Sequence, residues 1–231
     1  MPELARIRIT HELPELGATA AIGETIGRTL RGSDVVALAG EMGAGKTTLV
    51  RSIAVAMGID AGEVSSPTFL VVAEHVAADA QDNAEPRPDL VHVDAYRLGG
   101  ADELDSLGWD RFEGDGMASR VLIAEWPDRI GEALDDLAGG AIAQVSLEIT
   151  GRSSRRITLD LPEAWLEREA IEAMSRREPI RCRAEGVWVS PDNPAWPFST
   201  ARAQQADLYK WFAGDYRISR DMSEADLDQG E

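Results

Sequence analysis

Cysteine is nearly missing from these 231 residues: Cys182 stands alone. An intrachain disulfide and a cysteine cluster for zinc are thereby excluded, as in proteins of reducing compartments. The three histidines, His11, His75 and His92, lack metal-ligand spacing. No apolar run is long enough to cross a bilayer, and Met1 is not followed by a basic stretch leading into an apolar signal region, so the expected location is the cytoplasm with no membrane partner. Basic residues are also scarce. Lys and Arg number 23 against 41 acids, a formal charge of −18. Such a balance keeps a protein soluble and argues against a surface that grips nucleic acid unaided, since neutralising phosphates takes clustered Lys and Arg. No repeat with a period of tens of residues is apparent, which argues against solenoids and propellers.

What is present is enough apolar residue, 44%, for one well-buried domain with or without an appendage. Alternation over Arg6 to Thr10 predicts a strand, and Leu16, Ala20, Ile26 and Leu30 recur at helical spacing within Glu15 to Leu30. Val35 to Ala39 is a continuous apolar run, the pattern of a strand buried on both faces. Thr47 to Met57 then places Leu49, Val50, Ile53, Ala54 and Met57 on one helical face, with Gly58 as terminator. Further strands are expected at Phe69 to Ala73, Leu90 to Asp94, Val121 to Trp126, Ala143 to Thr150 and Arg156 to Leu161. About six or seven strands imply one α/β sheet flanked by helices.

The segment from Ala77 to Pro88 reads as an exposed loop. Two domains of unequal weight are expected, residues 1–161 and a C-terminal extension, 162–231. In the latter, Glu163 to Arg177 is charged and helical, and Pro179, Pro191, Pro194 and Pro197 break regular structure around Trp188 and Trp196. Ala201 to Phe212 is amphipathic, and the residues from Asp221 onward are acidic.

The chemistry lies between the Val35 strand and the Thr47 helix, in Gly40-Glu41-Met42-Gly43-Ala44-Gly45-Lys46-Thr47. Glycines there let consecutive amides wrap a phosphate, a lysine reaches the terminal phosphates, and a threonine hydroxyl serves magnesium. The helix starting at this point directs the positive end of its dipole at the same anion. The pattern is that of a P-loop binding ATP with Mg2+. Such a site needs a carboxylate at the end of a neighbouring strand. Asp94 and Glu125 both end apolar strands, and either suits the metal while the other orients water. The hydroxyls of Ser65-Ser66-Pro67-Thr68 suit a phosphate-sensing loop, and Arg97 suits either charge neutralisation or a salt bridge.

Taken in order, Gly40 to Thr48, Ser66-Pro67-Thr68-Phe69, Val93-Asp94-Ala95-Tyr96-Arg97-Leu98 and Glu125-Trp126-Pro127 resemble the four motifs of the TsaE (YjeE) family, over roughly residues 7–160. The family supplies the ATPase of bacterial threonylcarbamoyladenosine synthesis, which modifies the adenosine beside the anticodon in tRNAs reading codons that begin with A. The resemblance implies that Thr47 and Glu125 hold magnesium, that Lys46 and the amides of Gly43, Ala44, Gly45, Lys46, Thr47 and Thr48 hold the phosphates, and that Asp94 supports hydrolysis. It adds the Glu103-Leu104-x3-Gly108 segment followed by Trp109 in a helix, and Trp126 near the nucleotide. Leu16 to Thr19 and Gly151-Arg152 would close over the base.

By the same resemblance the chain is an ATPase, weak alone, that acts with TsaB and TsaD partners and meets tRNA through them. Two other functions share the P-loop chemistry: a small-molecule kinase and a nucleotide-operated switch. The extension lies beyond the resemblance. Its tryptophans are expected to pack back on the core, the alternative being a docking segment.

Overall fold

The structure, a computed structural model, describes residues 5–68, 70–78, 87–139 and 141–212. Phe69, most of the Ala77 to Pro88 loop and the acidic residues from Asp221 lie outside them. Seven strands, β1 (Arg6–Leu13), β2 (Val35–Gly40), β3 (Val72–His75), β4 (Asp89–Asp94), β5 (Arg120–Glu125), β6 (Ala143–Ile149) and β7 (Arg155–Pro162), form one sheet in the order β1-β7-β6-β2-β5-β4-β3. The central four, β6, β2, β5 and β4, run parallel, whereas β7, β1 and β3 add antiparallel edges.

Helices α1 (Leu16–Thr29), α2 (Lys46–Ala56), α3 (Gly131–Ala138) and α4 (Glu169–Arg176) cover the sheet. The apolar runs of β2 and β5 face two ways. Val36, Leu38, Val121 and Ile123 join a core with residues of α1, α2 and α4. Val35, Ala37, Leu122 and Ala124 join a second core with Leu134 of α3 and Leu104, Trp109 and Phe112 of a run of 3₁₀ turns. Trp109 thus opens a short 3₁₀ helix, in the place the sequence gives it.

One strand starts later than the sequence predicts. Phe69 to Ala73 was expected extended, but Leu70 and Val71 both donate backbone N–H to Pro67 O, so a turn fills this stretch and β3 begins at Val72. Val71 has φ 66°, an outlier for a β-branched residue. Its carbonyl accepts the Asp94 N–H at 2.9 Å, which ties the turn to the end of β4.

Packing continues past Pro162. Trp165, Ile171 and Met174 are buried in the same core as α1 and α2, and His11 Nε2 of β1 lies 3.1 Å from Met174 O. Beyond Arg177 a short hairpin, β8 (Ile180–Arg181) with β9 (Trp188–Val189), and α5 (Ala201–Phe212) enclose a small core of Cys182, Val189 and Ala203. The tryptophans of this region divide. Trp188 packs on the main core and bonds Glu15, Trp196 packs on the small core, and Trp211 stays 62% exposed beside Phe212.

Trp165 is 5% exposed, with the Arg168 guanidinium 3.8 Å above its ring. Trp165→Ala is therefore expected to lower stability in urea by about 3–5 kcal/mol, the usual cost of emptying a buried aromatic site. A loss under about 1 kcal/mol would mean that residues 163–177 are not part of the main core.

Candidate nucleotide site

β2, β5 and β4 end side by side, and a cavity of about 480 Å³ opens over their C-terminal ends. Ligands of open α/β sheets bind at this edge. The loop after β2 brings Gly43 and Gly45 to φ 80° and 103°, values that suit glycine alone at low cost, and a Cβ on either would project into open space. Backbone amides there are free to approach an anion closely, and α2 starts at Lys46 immediately behind them.

Lys46 is 5% exposed. Its ammonium donates to Gly40 O at 2.8 Å and Glu41 O at 3.1 Å and sits 4.0 Å from the centre of the Trp126 ring. Burial lowers its pKa, opposed by the nearby charges of Glu125 and Asp94. Trp126 follows β5 with φ 59°, a left-handed conformation uncommon outside glycine, and meets Tyr96 at 5.1 Å between ring centres. The strain places an aromatic wall against the Lys46 ammonium.

The two strand-end acids are register partners across β4 and β5. Glu125 Oε1 accepts the Thr47 hydroxyl at 2.9 Å, and His92 Nε2 lies 3.1 Å from the same oxygen. With both on Oε1, Oε2 has no hydrogen bond among the described residues. Asp94 is enclosed differently. Its Oδ2 accepts from Ser66 Oγ at 2.6 Å and Thr68 Oγ1 at 2.5 Å, and its Oδ1 accepts from Tyr96 N at 3.1 Å. Burial works against its ionisation, but these hydrogen bonds outweigh it and hold the carboxyl below its ordinary pKa.

Gly43, Gly45, Lys46, Thr47, Thr48, Asp94, Glu125 and Trp126 all line the cavity, joined by Met42, Ser66, Thr68 and Tyr96. Ala44 is buried beneath the loop. Leu16, 64% exposed, and Thr19, buried, sit in the first turns of α1, and Gly151 and Arg152 in the turn between β6 and β7; none of these four lines the cavity. Ser153 Oγ to Pro14 O, at 3.3 Å, joins this turn to the α1 entry.

Two residues of the site escaped the sequence reading. Arg155, at the start of β7, donates to Ala44 O at 2.9 Å and Gly43 O at 3.2 Å, bracing the glycine loop from behind. No local pattern marks it; only the β6–β7 pairing delivers it. His92 lacks metal-ligand spacing, as read, and its role as a partner of Glu125 had one signal, its place two residues before Asp94 on the same strand. Arg155→Ala is expected to weaken nucleotide binding about tenfold, ~1.4 kcal/mol, in a titration, because the loop loses its outer support. An unchanged affinity would show that the loop needs no brace.

The profile of the family described as threonylcarbamoyl adenosine biosynthesis protein TsaE matches residues 13–157. Among curated relatives, the tRNA threonylcarbamoyladenosine biosynthesis protein TsaE of Streptomyces coelicolor is 35% identical over 151 residues, 61% of this chain and 95% of that one. Its namesake in Mycobacterium leprae is 41% identical over 126 residues, 50% and 70% of the two chains. The crystal structure of Bacillus subtilus YdiB superposes with a TM-score of 0.50 at 21% identity, covering 74% of this chain and 97% of that one. That likeness shows the fold, a P-loop NTPase sheet flanked by helices. A second profile, described as DNA gyrase inhibitor YacG, matches residues 179–229, a segment that lies beyond the end of the TsaE match. With its glycine loop, paired strand-end acids and a profile match over more than half its length, the chain belongs to the TsaE family.

Proposed function

We propose that this chain is the ATP-binding and ATP-hydrolysing subunit for threonylcarbamoyl modification of the adenosine beside the anticodon, acting with TsaB and TsaD homologues in the cytoplasm. The observation that carries the reading is the contact of Thr47 with Glu125 at the mouth of the glycine loop, 2.9 Å, beside Asp94. A hydroxyl and a carboxylate converging beside a phosphate cradle are the hard oxygen donors magnesium takes. Thr47 and Glu125 would hold it, and when bound it supplies positive charge against the terminal phosphates. Lys46 exchanges its loop carbonyls for phosphate oxygens, and Trp126 shields that contact from water.

Asp94 is the residue for orienting the attacking water. In the arrangement described, its Oδ2 is occupied by Ser66 and Thr68. For it to take a water, those hydroxyls must turn away, and the terminal phosphate gives them new acceptors. Hydrolysis is thereby coupled to the position of the Ser66–Thr68 turn. Depleting the chain from its host and measuring threonylcarbamoyladenosine in tRNA by mass spectrometry tests the assignment: the wild-type chain restores the nucleoside, Lys46→Ala does not. Undiminished modification without the chain would refute it.

The match to the DNA gyrase inhibitor profile favours a second role for residues beyond Arg177, inhibition of gyrase. Tyr209, Trp211 and Phe212 of α5 are 76%, 62% and 77% exposed, and Trp211 and Phe212 meet edge to face, aromatic surface open to a partner. Titrating the full chain and Trp211→Ala into a DNA supercoiling reaction tests this. Inhibition lost in the variant supports the role, and no inhibition by the full chain removes it.

A further inference from the structure

We propose that an arginine-lined basin at the opposite edge of the sheet from the nucleotide binds the phosphodiester backbone of tRNA, an inference that rests on the chain's place in tRNA modification. The basin has a volume of about 1190 Å³ and lies where the last turn of α1, the segment before β4 and helix α4 meet. Arg28, Arg31, Arg87, Arg168, Arg176 and Arg177 all line it. These are six of the 23 basic residues of a chain whose formal charge is −18.

Three of the six build the wall. Arg28 is bound to Asp192 at 2.6 Å, Arg168 grips Asp34 with bonds of 2.6 and 2.9 Å, and Arg176 pairs with Glu172 at 2.8 Å. The other three carry charge without a carboxylate. Arg31 and Arg87 are exposed and have no side-chain partner among the described residues, with Arg87 resting its guanidinium against Gly58. Arg177 donates only to Pro191 O, at 3.4 Å, and faces the Trp196 ring at 5.3 Å. Glu169 is the one lining acid without a cation partner among the described residues. Among the described residues the balance inside the basin is therefore positive.

Size and charge select the ligand class. Small-molecule sites occupy roughly 300–1,000 Å³ and are mostly apolar, whereas this basin is larger and walled by guanidinium groups. Guanidinium forks match phosphate oxygens. At 0.1 M salt the distant acids are screened beyond about 10 Å, so the local arginines decide what binds. A weak acidic background still slows encounter, which suits a chain that meets tRNA alongside partners. Arg31 and Arg87 precede β2 and β4, while the nucleotide sits after their other ends, separated by a six-residue strand, about 20 Å. Substitutions in the basin therefore leave the nucleotide site untouched.

The test titrates the full chain with labelled unmodified tRNA by fluorescence anisotropy from 50 to 300 mM salt, with ATP affinity and melting temperature measured on the same samples. Binding is expected with Kd of about 1–100 μM at the low end and a log–log salt slope of about −2 to −3, from three phosphate contacts. Arg31→Ala/Arg87→Ala removes two cations without breaking a hydrogen bond or ion pair among the described residues, and should weaken tRNA binding at least tenfold and flatten the slope while ATP affinity stays constant. Adding Arg177→Gln should abolish the remaining salt dependence. A chain that binds ATP but not tRNA would overturn the proposal while sparing the nucleotide site. So would variants that bind tRNA as the wild type does, duplex DNA of equal charge binding as tightly as tRNA, or a poly-glutamate peptide binding where tRNA does not.

Discussion

Lys46→Ala is expected to weaken ATP binding by about 100- to 1,000-fold in a calorimetric titration, ~3–4 kcal/mol, while the protein remains folded. The magnitude follows from two charge-assisted hydrogen bonds to phosphate oxygens, each worth roughly 1.5–3 kcal/mol. Folding should survive because Lys46 serves the loop rather than the core: its ammonium touches only the Gly40 and Glu41 carbonyls and the Trp126 ring. Those carbonyls lie at the C-terminal end of β2 and at the start of the loop after it, where water can replace the lost donor. Lys46→Arg should not rescue, since a planar fork cannot occupy the slot of a point charge above Trp126. Unchanged affinity in Lys46→Ala would remove the P-loop reading.

The second large effect separates the two acids. Glu125→Ala should abolish the dependence of nucleotide affinity on magnesium, because Thr47 then has no carboxylate partner with which to hold the ion. Asp94→Ala should instead lower turnover by about 10²–10⁴-fold, the range for losing a group that positions or accepts a proton, with affinity changed far less. Measuring Kd with and without magnesium alongside single-turnover hydrolysis distinguishes the two. The reverse pattern would exchange their roles. The structure gives a reason for the asymmetry: Glu125 touches the P-loop threonine, while Asp94 touches the Ser66–Thr68 turn.

How far these features were legible in the residues differs by element. The strand leading to the P-loop announces itself, since a run buried on both faces reads as Val-Val-Ala-Leu-Ala wherever it occurs. Asp94 and Glu125 were visible because each ends such a run. Their order of contact was not, because the choice between them rests on which acid faces Thr47 across the β2–β5 register. The β3 start was misplaced because Val71 defies its own propensity, held by the Pro67 and Asp94 hydrogen bonds. Arg155 and the basin arginines were invisible for the same reason: elements distant in sequence bring them to their places, Arg155 reaching Ala44 across 111 residues and Arg168 reaching Asp34 across 134, and at such distances periodicity carries no information. A net charge of −18 hid the basin further, since composition averages over the surface and the arginines gather at one edge. The division of the tail tryptophans is likewise tertiary. Trp188 reaches the main core because the β8–β9 hairpin lies against α1, a contact that no local pattern announces.

The most direct measurement of the central claim is ATP turnover by this chain, alone and with purified TsaB and TsaD homologues and unmodified tRNA, followed by quantifying the modified nucleoside. The account predicts slow hydrolysis by the chain alone, a rise of at least about tenfold on adding both partners, formation of threonylcarbamoyladenosine, and loss of both with Lys46→Ala. Turnover indifferent to the partners, or ADP formed in step with phosphorylation of a small molecule in their absence, would contradict it.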